Sequence, residues 1–286
     1  MPELPEVQAL ATDLGSRLRG RAVDRLDLVS FAAMKTFDPP PSALHGSVVG
    51  DVTRHGKFLD IAAGDLHLII HLARAGWVRW RDQAPQGTGR PGKGPLAARL
   101  VLDDGSGFDV TEAGTKKSLA LYLVRDPAAV PGVARLGPDP LEPGFTRDVL
   151  AGILASKGRS QLKGVLRDQG NIAGIGNAYS DEILHVAKMS PYKPAAMPDA
   201  DVDVLYEAMQ STLRAALARA DGLAASELKA EKKSNLRVHG RTGQPCPVCG
   251  DTVREVIFAD STFQYCPTCQ TGGKPLADRV LSRLLK

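Results

Sequence analysis

Long apolar runs, cysteines and aromatic residues are all scarce in this chain. Aromatic side chains make up 5% of the 286 residues, and four residues are cysteine. No apolar run approaches the ~20 residues needed to span a bilayer, and the first twenty residues contain acids instead of the apolar core of an export signal. These absences argue against a membrane protein and predict a cytoplasmic one.

The overall composition is that of an ordinary globular protein. Apolar residues make up 43% and charged residues 24%, so the chain can bury a full core. A length of 286 residues predicts two domains, with room for a small appendage. The net charge of +4 is mild, and it permits a nucleic-acid partner without demanding one.

All four cysteines lie in one C-terminal segment, as two C-x2-C pairs separated by sixteen residues. Each C-x2-C turn directs two sulfurs at one point, and this spacing is typical of a four-thiolate zinc site. Disulfides are disfavoured because such paired motifs rarely form bridges in a chain without an export signal. The residues between the pairs alternate between apolar and polar, which predicts a β-hairpin. We therefore expect one structural Zn²⁺, held by Cys246, Cys249, Cys266 and Cys269.

Hydrophobic periodicity divides the rest of the chain into a β-rich part and a helical part. Apolar residues recur at helical spacing in residues 5–19, which predicts an amphipathic helix, and short β runs follow as far as residue 125. A polar Gly/Pro loop at 83–95 interrupts these runs. Helical periodicity dominates after residue 145, where Thr146 is placed to cap the first helix.

The sequence therefore predicts an α+β protein with five segments. They are an N-terminal β-sandwich domain at 1–130, a Pro/Gly-rich linker at 131–144, a helical domain at 145–235, a zinc finger at 236–275 and a tail at 276–286 that has the pattern of a short amphipathic helix.

A glycine cluster lies between two predicted helices. Gly170, Gly174 and Gly176 precede Asn177, which opens the second helix. Such a turn presents backbone N–H groups at a helix N-terminus, where a phosphate can bind. The alternative is a plain turn, which is the commoner use of glycine between helices.

Histidine and tryptophan pairs in the β-rich part have a simpler interpretation. His67 and His71 are spaced as metal ligands on a helix would be, but their segment has the pattern of a strand, so we interpret them as packed residues. We interpret Trp77 and Trp80 in the same way, and not as a base-stacking pair.

Four motifs occur together and in order along the chain. They are "PELPEV" at the start, "RHGKFL" near residue 55, "LKGVLRDQGNIAGIGNAYSDEIL" in the helical part, and the four-cysteine segment. In these motifs the chain resembles the formamidopyrimidine-DNA glycosylase/endonuclease VIII (Fpg/Nei) family, from Pro2 to about Lys274. The resemblance implies an N-terminal β-sandwich flanked by helices, a helix–two-turns–helix domain and a zinc finger.

The resemblance also implies catalytic roles for the first residues. Removal of Met1 exposes Pro2 as a secondary amine with a pKa near ~8, which is partly unprotonated at neutral pH and can attack C1′ of a damaged nucleotide. Glu3 is then the general acid that protonates the opening sugar ring. Glu6 supports the site or is an ordinary first-turn acid. Lys57 binds a phosphate beside the lesion and assists proton transfer.

The implied partner is double-stranded DNA that contains damaged bases or abasic sites. Asn177 matches the family residue that binds backbone phosphate, and Lys163 and Tyr179 match neighbouring contacts. The target nucleotide has to leave the stack to reach a terminal amine, so base flipping is implied. We expect a monomer that binds no membrane and is associated with the nucleoid.

The chain departs from the family pattern in two places. Typical members carry an arginine five residues before the third cysteine, and Ser261 occupies that position here. Arg254, Lys274 and Lys117 are all candidates to replace it.

The second departure concerns the side chains that fill the gap left by a flipped base. Arg74 stands where many members have methionine, and Lys116 and Lys117 stand where they have an Arg-x-Phe element. A basic wedge suits phosphate or an orphan base better than apolar intercalation. The charged segment before the finger is also short, so we do not expect strong excision of 8-oxoguanine.

Three functions follow from these patterns. The first, which we favour, is a DNA glycosylase and abasic-site lyase that acts on oxidised pyrimidines or abasic sites. The second is a DNA-damage-binding protein with little turnover, which the two departures support. The third is a zinc-ribbon protein bound to RNA or the ribosome, which the intact set of Pro2, Glu3 and Lys57 argues against.

Overall fold

A computed structural model of the chain describes residues 1–87, 94–258 and 261–277. The described chain divides into two compact units. The first consists of Met1–Leu136 and Leu217–Glu231, and the second consists of Gly137–Ala216 and Lys232–Lys286.

Two segments singled out in the sequence fall beyond these limits. The polar loop at 83–95 lies in part outside the described residues, and the tail at 276–286 lies almost entirely outside them. The prediction of a helical tail therefore stays a prediction.

The described part of the first unit contains eight strands. They are β1 (Val23–Leu28), β2 (Val49–His55), β3 (Phe58–Ala63), β4 (Leu66–His71), β5 (Gly76–Arg81), β6 (Leu96–Leu102), β7 (Gly107–Glu112) and β8 (Ala120–Val124). They form two antiparallel four-stranded sheets, in the order β1-β6-β7-β5 and β2-β3-β4-β8. Side chains of both sheets, including Ile61, Leu100 and Phe108, share one core and are at most 1% exposed. The predicted β-sandwich is confirmed.

The helix α1 (Leu4–Leu18) packs on this core along one face. Leu10, Leu14 and Leu18 recur every four residues and are fully buried. Pro5 lies in the first turn, where its missing N–H breaks no intrahelical bond. Gly20 follows the helix with a φ of +79°, a conformation that favours glycine. The predicted N-terminal helix is confirmed.

Seven further α-helices follow in the described chain. They are α2 (Pro131–Ala134), α3 (Arg147–Lys157), α4 (Leu162–Arg167), α5 (Asn177–Val186), α6 (Asp199–Ala220), α7 (Leu228–Asn235) and α8 (Pro267–Thr271). Thr146 caps α3 as predicted, because its Oγ1 accepts a hydrogen bond of 3.3 Å from the Val149 N–H. Among the residues described, no helix is both long enough and apolar enough to cross a membrane.

The helices of the second unit bury a separate core, and the zinc-finger segment adds a small hairpin. Leu166, Ile183 and Leu213 belong to α4, α5 and α6 and are fully buried in this core. The strands β9 (Arg254–Phe258) and β10 (Ser261–Tyr265) pair antiparallel, as the alternating pattern predicted. Asn177 is the first residue of α5, which is also as predicted.

A buried carboxylate with two arginine partners links three strands of the sandwich. Asp109 on β7 accepts hydrogen bonds of 2.6 Å from Arg99 Nε and 2.9 Å from Arg81 Nε, and Arg99 is 4% exposed. Burial by itself raises the pKa of the Asp109 carboxyl, but the hydrogen bonds and charges of the two arginines outweigh it and hold the pKa below its usual value. The ionised carboxylate therefore stabilises the first unit.

We expect Asp109→Asn to destabilise the first unit in a pH-dependent way. At pH 7 the substitution removes one partner of a buried pair, which costs about 3–5 kcal/mol. The contribution of Asp109 is present above the pKa of an unfolded aspartate, near ~4, and it is lost as the pH falls through the lower folded pKa. The difference from the parent chain in unfolding free energy should therefore shrink between pH 7 and pH 3.

Urea unfolding followed by tryptophan fluorescence measures this difference, because Trp77 and Trp80 are the two tryptophans of the chain and both lie in the first unit. Asp51→Asn is a matched control, since Asp51 forms an ion pair with Arg19 in which both side chains are more than two-thirds exposed. A deficit of the same size at both pH values would contradict the assignment.

Candidate active site and metal centre

Two buried acids define the start of α1. Glu3 is the N-cap residue, and its carboxylate accepts from the backbone N–H of Glu6. In return, the Glu3 N–H donates to Glu6 Oε2 over 2.8 Å. The two residues are 1% and 2% exposed, and Pro2 beside them is also buried. The structure therefore joins Glu3 and Glu6 in one capping motif and buries Pro2 next to it.

Lys57 lies at the tip of the hairpin between β2 and β3. The turn has two residues, Gly56 and Lys57, and Gly56 takes a φ of +55°. Arg54 donates from Nη1 to the Gly56 carbonyl and from Nε to Gln8 Oε1 on α1, both over 3.1 Å. The hairpin that carries Lys57 is thus bonded to the helix that carries the acids. Arg54 was not singled out in the sequence, although it stands directly in the "RHGKFL" motif.

His71 lies near Lys57 in the structure. Nothing in the sequence indicated that these two residues are neighbours. It lies on β4 opposite Phe58, and the two ring centroids are 4.6 Å apart. Burial, and then the charge of Lys57, lower the pKa of His71 to about 4. The strand placement predicted for His71 is confirmed, and the imidazole is neutral at physiological pH.

Arg74 lies in a tight turn between β4 and β5. The Gly76 N–H donates to the Leu72 carbonyl over 2.8 Å, and a Cβ at Gly76 would come within 2.1 Å of that oxygen. Ala73 takes a φ of +50° in this turn, a conformation that costs a residue with a Cβ about 1–2 kcal/mol. Arg74 itself is exposed.

The loop with Lys116 and Lys117 lies beside this turn. The Ala113 N–H donates to the Ala75 carbonyl over 3.3 Å, and both lysine side chains are exposed. Glu112 is 3% exposed, and its Oε1 accepts from the N–H groups of residues 118 and 119 over 2.8 and 3.1 Å. Glu112 therefore bonds to the far end of the loop that carries the two lysines and holds it against β7. The structure brings the loops of the predicted wedge residues Arg74, Lys116 and Lys117 together.

We expect Ala73→Gly to stabilise the first unit. Glycine adopts the positive φ without steric cost, while its greater freedom in the unfolded chain offsets part of the gain, so a net increase of roughly 0.5–1 kcal/mol follows. Ala75→Gly is the matched control in the same turn, because Ala75 has no positive φ, and it should destabilise by a similar amount. Urea unfolding with tryptophan fluorescence measures both. Loss of stability in Ala73→Gly would rule out backbone strain at this residue.

In the second unit, Asn177 contacts the finger hairpin. Its Nδ2 donates to the Thr262 carbonyl over 2.6 Å, and its buried Oδ1 has no hydrogen-bond partner within the described part of the chain. Gly176 is the N-cap residue of α5. The predicted phosphate-binding residue is therefore positioned by β10 at the start of a helix.

Lys163 and Tyr179 lie beneath Asn177 and are buried. The Lys163 ammonium donates to Asp181 Oδ1 and Ser180 Oγ, both over 2.6 Å, and the lysine is 5% exposed. Tyr179 is 3% exposed, and Lys232 Nζ lies 4.5 Å from its ring centroid. The structure places all three predicted residues around the first turns of α5. Their direct contact with DNA stays a prediction.

Two successive acids of α5 hold the zinc-finger segment. Glu182 accepts from three consecutive backbone N–H groups at 237–239, over 2.7 to 3.0 Å. Burial raises the pKa of Glu182 above its usual value, although these bonds favour the ionised form. Asp181 Oδ2 accepts from His239 Nδ1 over 2.7 Å and from the Gln264 N–H over 3.2 Å. Sequence reasoning missed both acids. A helical pattern does not show whether an acidic side chain is buried and bonded to another segment or is exposed to solvent.

The four cysteine sulfurs converge on one point. Their Sγ atoms all lie within 4.8 Å of one another, with 3.9 Å between Cys246 and Cys269 and 3.4 Å between Cys249 and Cys266. Tetrahedral Zn²⁺ with bonds of about 2.3 Å separates its sulfur ligands by about 3.8 Å, so the donor set fits zinc. Four thiolates leave no open coordination position. The chain carries one structural zinc site, as predicted.

The position that replaces the family arginine is only partly described. Ser261 begins β10 and pairs with Phe258, but its side chain and residues 259–260 lie outside the described part of the hairpin. Arg254, Lys274 and Lys117, the candidates to replace the arginine, are all exposed.

We expect metal removal to unfold the finger and leave the sandwich intact. The finger has a core of a few residues, such as Val238 and Val253, so most of its folding free energy comes from the metal. Chelation should make 236–275 sensitive to protease, while tryptophan emission, which reports on the first unit, stays unchanged. Cys249→Ser should behave like the chelated protein. A protease-resistant finger without bound zinc would contradict this expectation.

Three family models match the chain in succession. They are the formamidopyrimidine-DNA glycosylase N-terminal domain at 1–114, the formamidopyrimidine-DNA glycosylase H2TH domain at 136–227, and the zinc finger found in FPG and IleRS at 243–272. Together with the buried acids and the converged cysteines, they define the class of DNA repair glycosylases with a helix–two-turns–helix domain and a zinc finger.

Curated relatives support the same class. The formamidopyrimidine-DNA glycosylase of Symbiobacterium thermophilum is 33% identical over 284 residues, covering 94% of this chain and 89% of its own. That of Geobacter sulfurreducens is 34% identical, covering 94% of this chain and 100% of its own. An uncharacterized formamidopyrimidine-DNA glycosylase-like protein of Mycobacterium tuberculosis is 60% identical over 160 residues, covering 56% of this chain and 99% of its own.

Solved structures show the same fold. A Lactococcus lactis formamidopyrimidine-DNA glycosylase bound non-covalently to DNA with an abasic site has a TM-score of 0.81 at 24% identity, covering 94% of this chain and 99% of its own. The chain therefore belongs to the formamidopyrimidine-DNA glycosylase family, whose members are DNA repair glycosylases with abasic-site lyase activity.

Proposed function

We propose that this enzyme excises oxidised bases from double-stranded DNA and cleaves the resulting abasic site, with the nitrogen of Pro2 as nucleophile. The observation that carries the proposal is the capping motif in which Glu3 and Glu6 are buried beside Pro2. A residue that only begins a helix has no need of two buried carboxylates, whose desolvation is unfavourable unless their bonds compensate it. Removal of Met1 turns Pro2 into a terminal secondary amine at this motif.

The chemistry follows from the groups present. The Pro2 nitrogen attacks C1′ of the flipped nucleotide as the glycosidic bond breaks. The electron pair of that bond leaves with the base, which takes up the proton that the Pro2 nitrogen loses. Glu3 protonates the ring oxygen as the sugar opens, which leaves a cationic iminium between Pro2 and C1′. The iminium withdraws electrons and acidifies the C2′ proton, so loss of that proton expels the 3′ phosphate and breaks the strand.

Phosphate binding is assigned to residues in both units. Lys57 is held to α1 by the bonds of Arg54, and the neutral His71 beside it has a ring nitrogen able to donate to an anion. In the second unit, Asn177 stands at the N-terminus of α5, where the helix dipole favours an anion. Lys163, whose charge is paired with Asp181, donates to the Asn177 carbonyl over 3.1 Å and so supports the start of this helix. Such contacts position a duplex without reading its sequence.

We assign oxidised pyrimidines and abasic sites as preferred targets over 8-oxoguanine. Arg74, Lys116 and Lys117 are exposed on two adjacent loops, where the resemblance places the residues that fill the gap left by the flipped base. Guanidinium and ammonium groups bind phosphate or stack on an orphan base, but they do not replace an apolar wedge. We expect the protein to act as a monomer.

A second candidate function is damage binding with little turnover. The observation that favours it is Ser261, which cannot supply the charge of the family arginine at that position. The fold and the zinc site are the same under both functions, so chemistry alone separates them.

Borohydride trapping tests the proposal. We expect a covalent adduct between the zinc-loaded protein and duplex DNA with an abasic site, and its loss in Pro2→Gly. Pro5→Ala is the matched control, because Pro5 lies in the same turn and has no role in the chemistry. Glu3→Gln keeps an oxygen for the helix cap and should lower excision of dihydrouracil by about 10²- to 10⁴-fold.

The outcomes distinguish the candidate functions. Tight binding of damaged duplex without a trapped adduct would favour the damage-binding function. Preference for undamaged RNA would overturn both. Faster release of 8-oxoguanine than of dihydrouracil would contradict the assigned lesion preference. The assignment of Pro2 as nucleophile would not be affected by that result.

A further inference from the structure

Three side chains on one face of α5 contact the zinc-finger segment. Asn177, Asp181 and His185 are spaced at i, i+4 and i+8, so they stand one above another along the helix. Asn177 and Asp181 bond to the backbone of the β10 strand. His185, one turn beyond Asp181, contacts a zinc ligand itself. Asn177 is assigned to phosphate binding, whereas His185 has no part in the proposed chemistry.

The contact of His185 has the geometry of a hydrogen bond to sulfur. Its Nε2 lies 3.2 Å from Cys246 Sγ, and the two residues are 2% and 3% exposed. The other ring nitrogen, Nδ1, has no hydrogen-bond partner within the described part of the chain. No competing partner in that region therefore draws the imidazole away from the sulfur.

The direction of this bond follows from the metal site. A cysteine bound to Zn²⁺ is a thiolate, which accepts hydrogen bonds and donates none. The nitrogen that faces it, Nε2, must then carry the proton. Groups that bond to metal ligands orient them and tune their donation to the metal.

We propose that His185 is a positioning residue of the zinc site, which donates a hydrogen bond from Nε2–H to the Cys246 thiolate and so couples metal binding to helix α5. The bond draws electron density from the sulfur and orients Cys246 toward the metal. Loss of zinc removes the thiolate charge that this donor recognises. The finger is thereby joined to the helix that begins with Asn177 by a bond that depends on the metal.

Two variants of His185 test the donor. His185→Phe keeps a planar ring and removes the N–H, whereas His185→Gln places an amide N–H near the position of Nε2. In the full-length protein we expect zinc affinity, measured by chelator competition, to fall by about 10- to 100-fold in His185→Phe. His185→Gln should restore most of it.

A spectroscopic readout separates the hydrogen bond from general packing. In Co²⁺-substituted protein, loss of a donor to sulfur raises the energy of the sulfur lone pairs, so the thiolate-to-cobalt charge-transfer band should shift to lower energy in His185→Phe and return in His185→Gln. Ile183→Val is the matched control, because it removes buried volume from the same helix without touching a cysteine. An equal band shift in Ile183→Val, or no shift in His185→Phe, would overturn the proposal.

A measurement on the parent chain tests the hydrogen bond between His185 and Cys246 even if a variant fails to fold. In ¹¹³Cd-substituted protein, the ¹⁵N shifts of His185 report which nitrogen is protonated, and a scalar coupling between the Nε2 proton and cadmium reports the bond through sulfur. We expect the Nε2–H form and a measurable coupling. The Nδ1–H form would overturn the proposal.

Discussion

Buried carboxylates need hydrogen-bond donors, and this requirement shapes both units. A carboxylate removed from water is unfavourable unless donors replace its hydration, so each buried acid fixes whatever donates to it. Glu3 and Glu6 fix the start of α1, and Glu112 fixes the loop that carries Lys116 and Lys117. In each case a buried acid holds a segment that the proposed chemistry uses, and Glu3 is also proposed to take part in that chemistry.

The same requirement organises the second unit around α5. Glu182 accepts hydrogen bonds from three backbone N–H groups at the start of the zinc-finger segment. Asp181 bonds to both Lys163 and β10. A small zinc finger has too little apolar core to position itself. Directional polar bonds to α5 therefore act together with the contact of Phe263 with Tyr192, whose ring centroids are 5.6 Å apart, to set its place in the second unit.

Membership of the glycosylase family and the departures from its pattern are compatible. The buried acids beside Pro2 and the hairpin of Lys57 lie where the proposed chemistry needs them, and the four cysteines form the structural zinc site. The changed positions lie in exposed loops and at the finger hairpin. Loops commonly carry specificity on a fold that tolerates their variation, so changes at these positions are compatible with an unchanged fold and zinc site.

Local signals in the sequence determined much of this protein. The periodicity of Leu10, Leu14 and Leu18, the cap at Thr146 and the spacing of the cysteines predicted their elements because each depends on neighbours within a few residues. Other features depended on the tertiary structure. The pKa of His71 depends on its burial and then on Lys57 in the β2–β3 turn, and the bond of His185 depends on Cys246, sixty-one residues away. Burial and partners across such distances have no pattern in the chain, so only folding decides them.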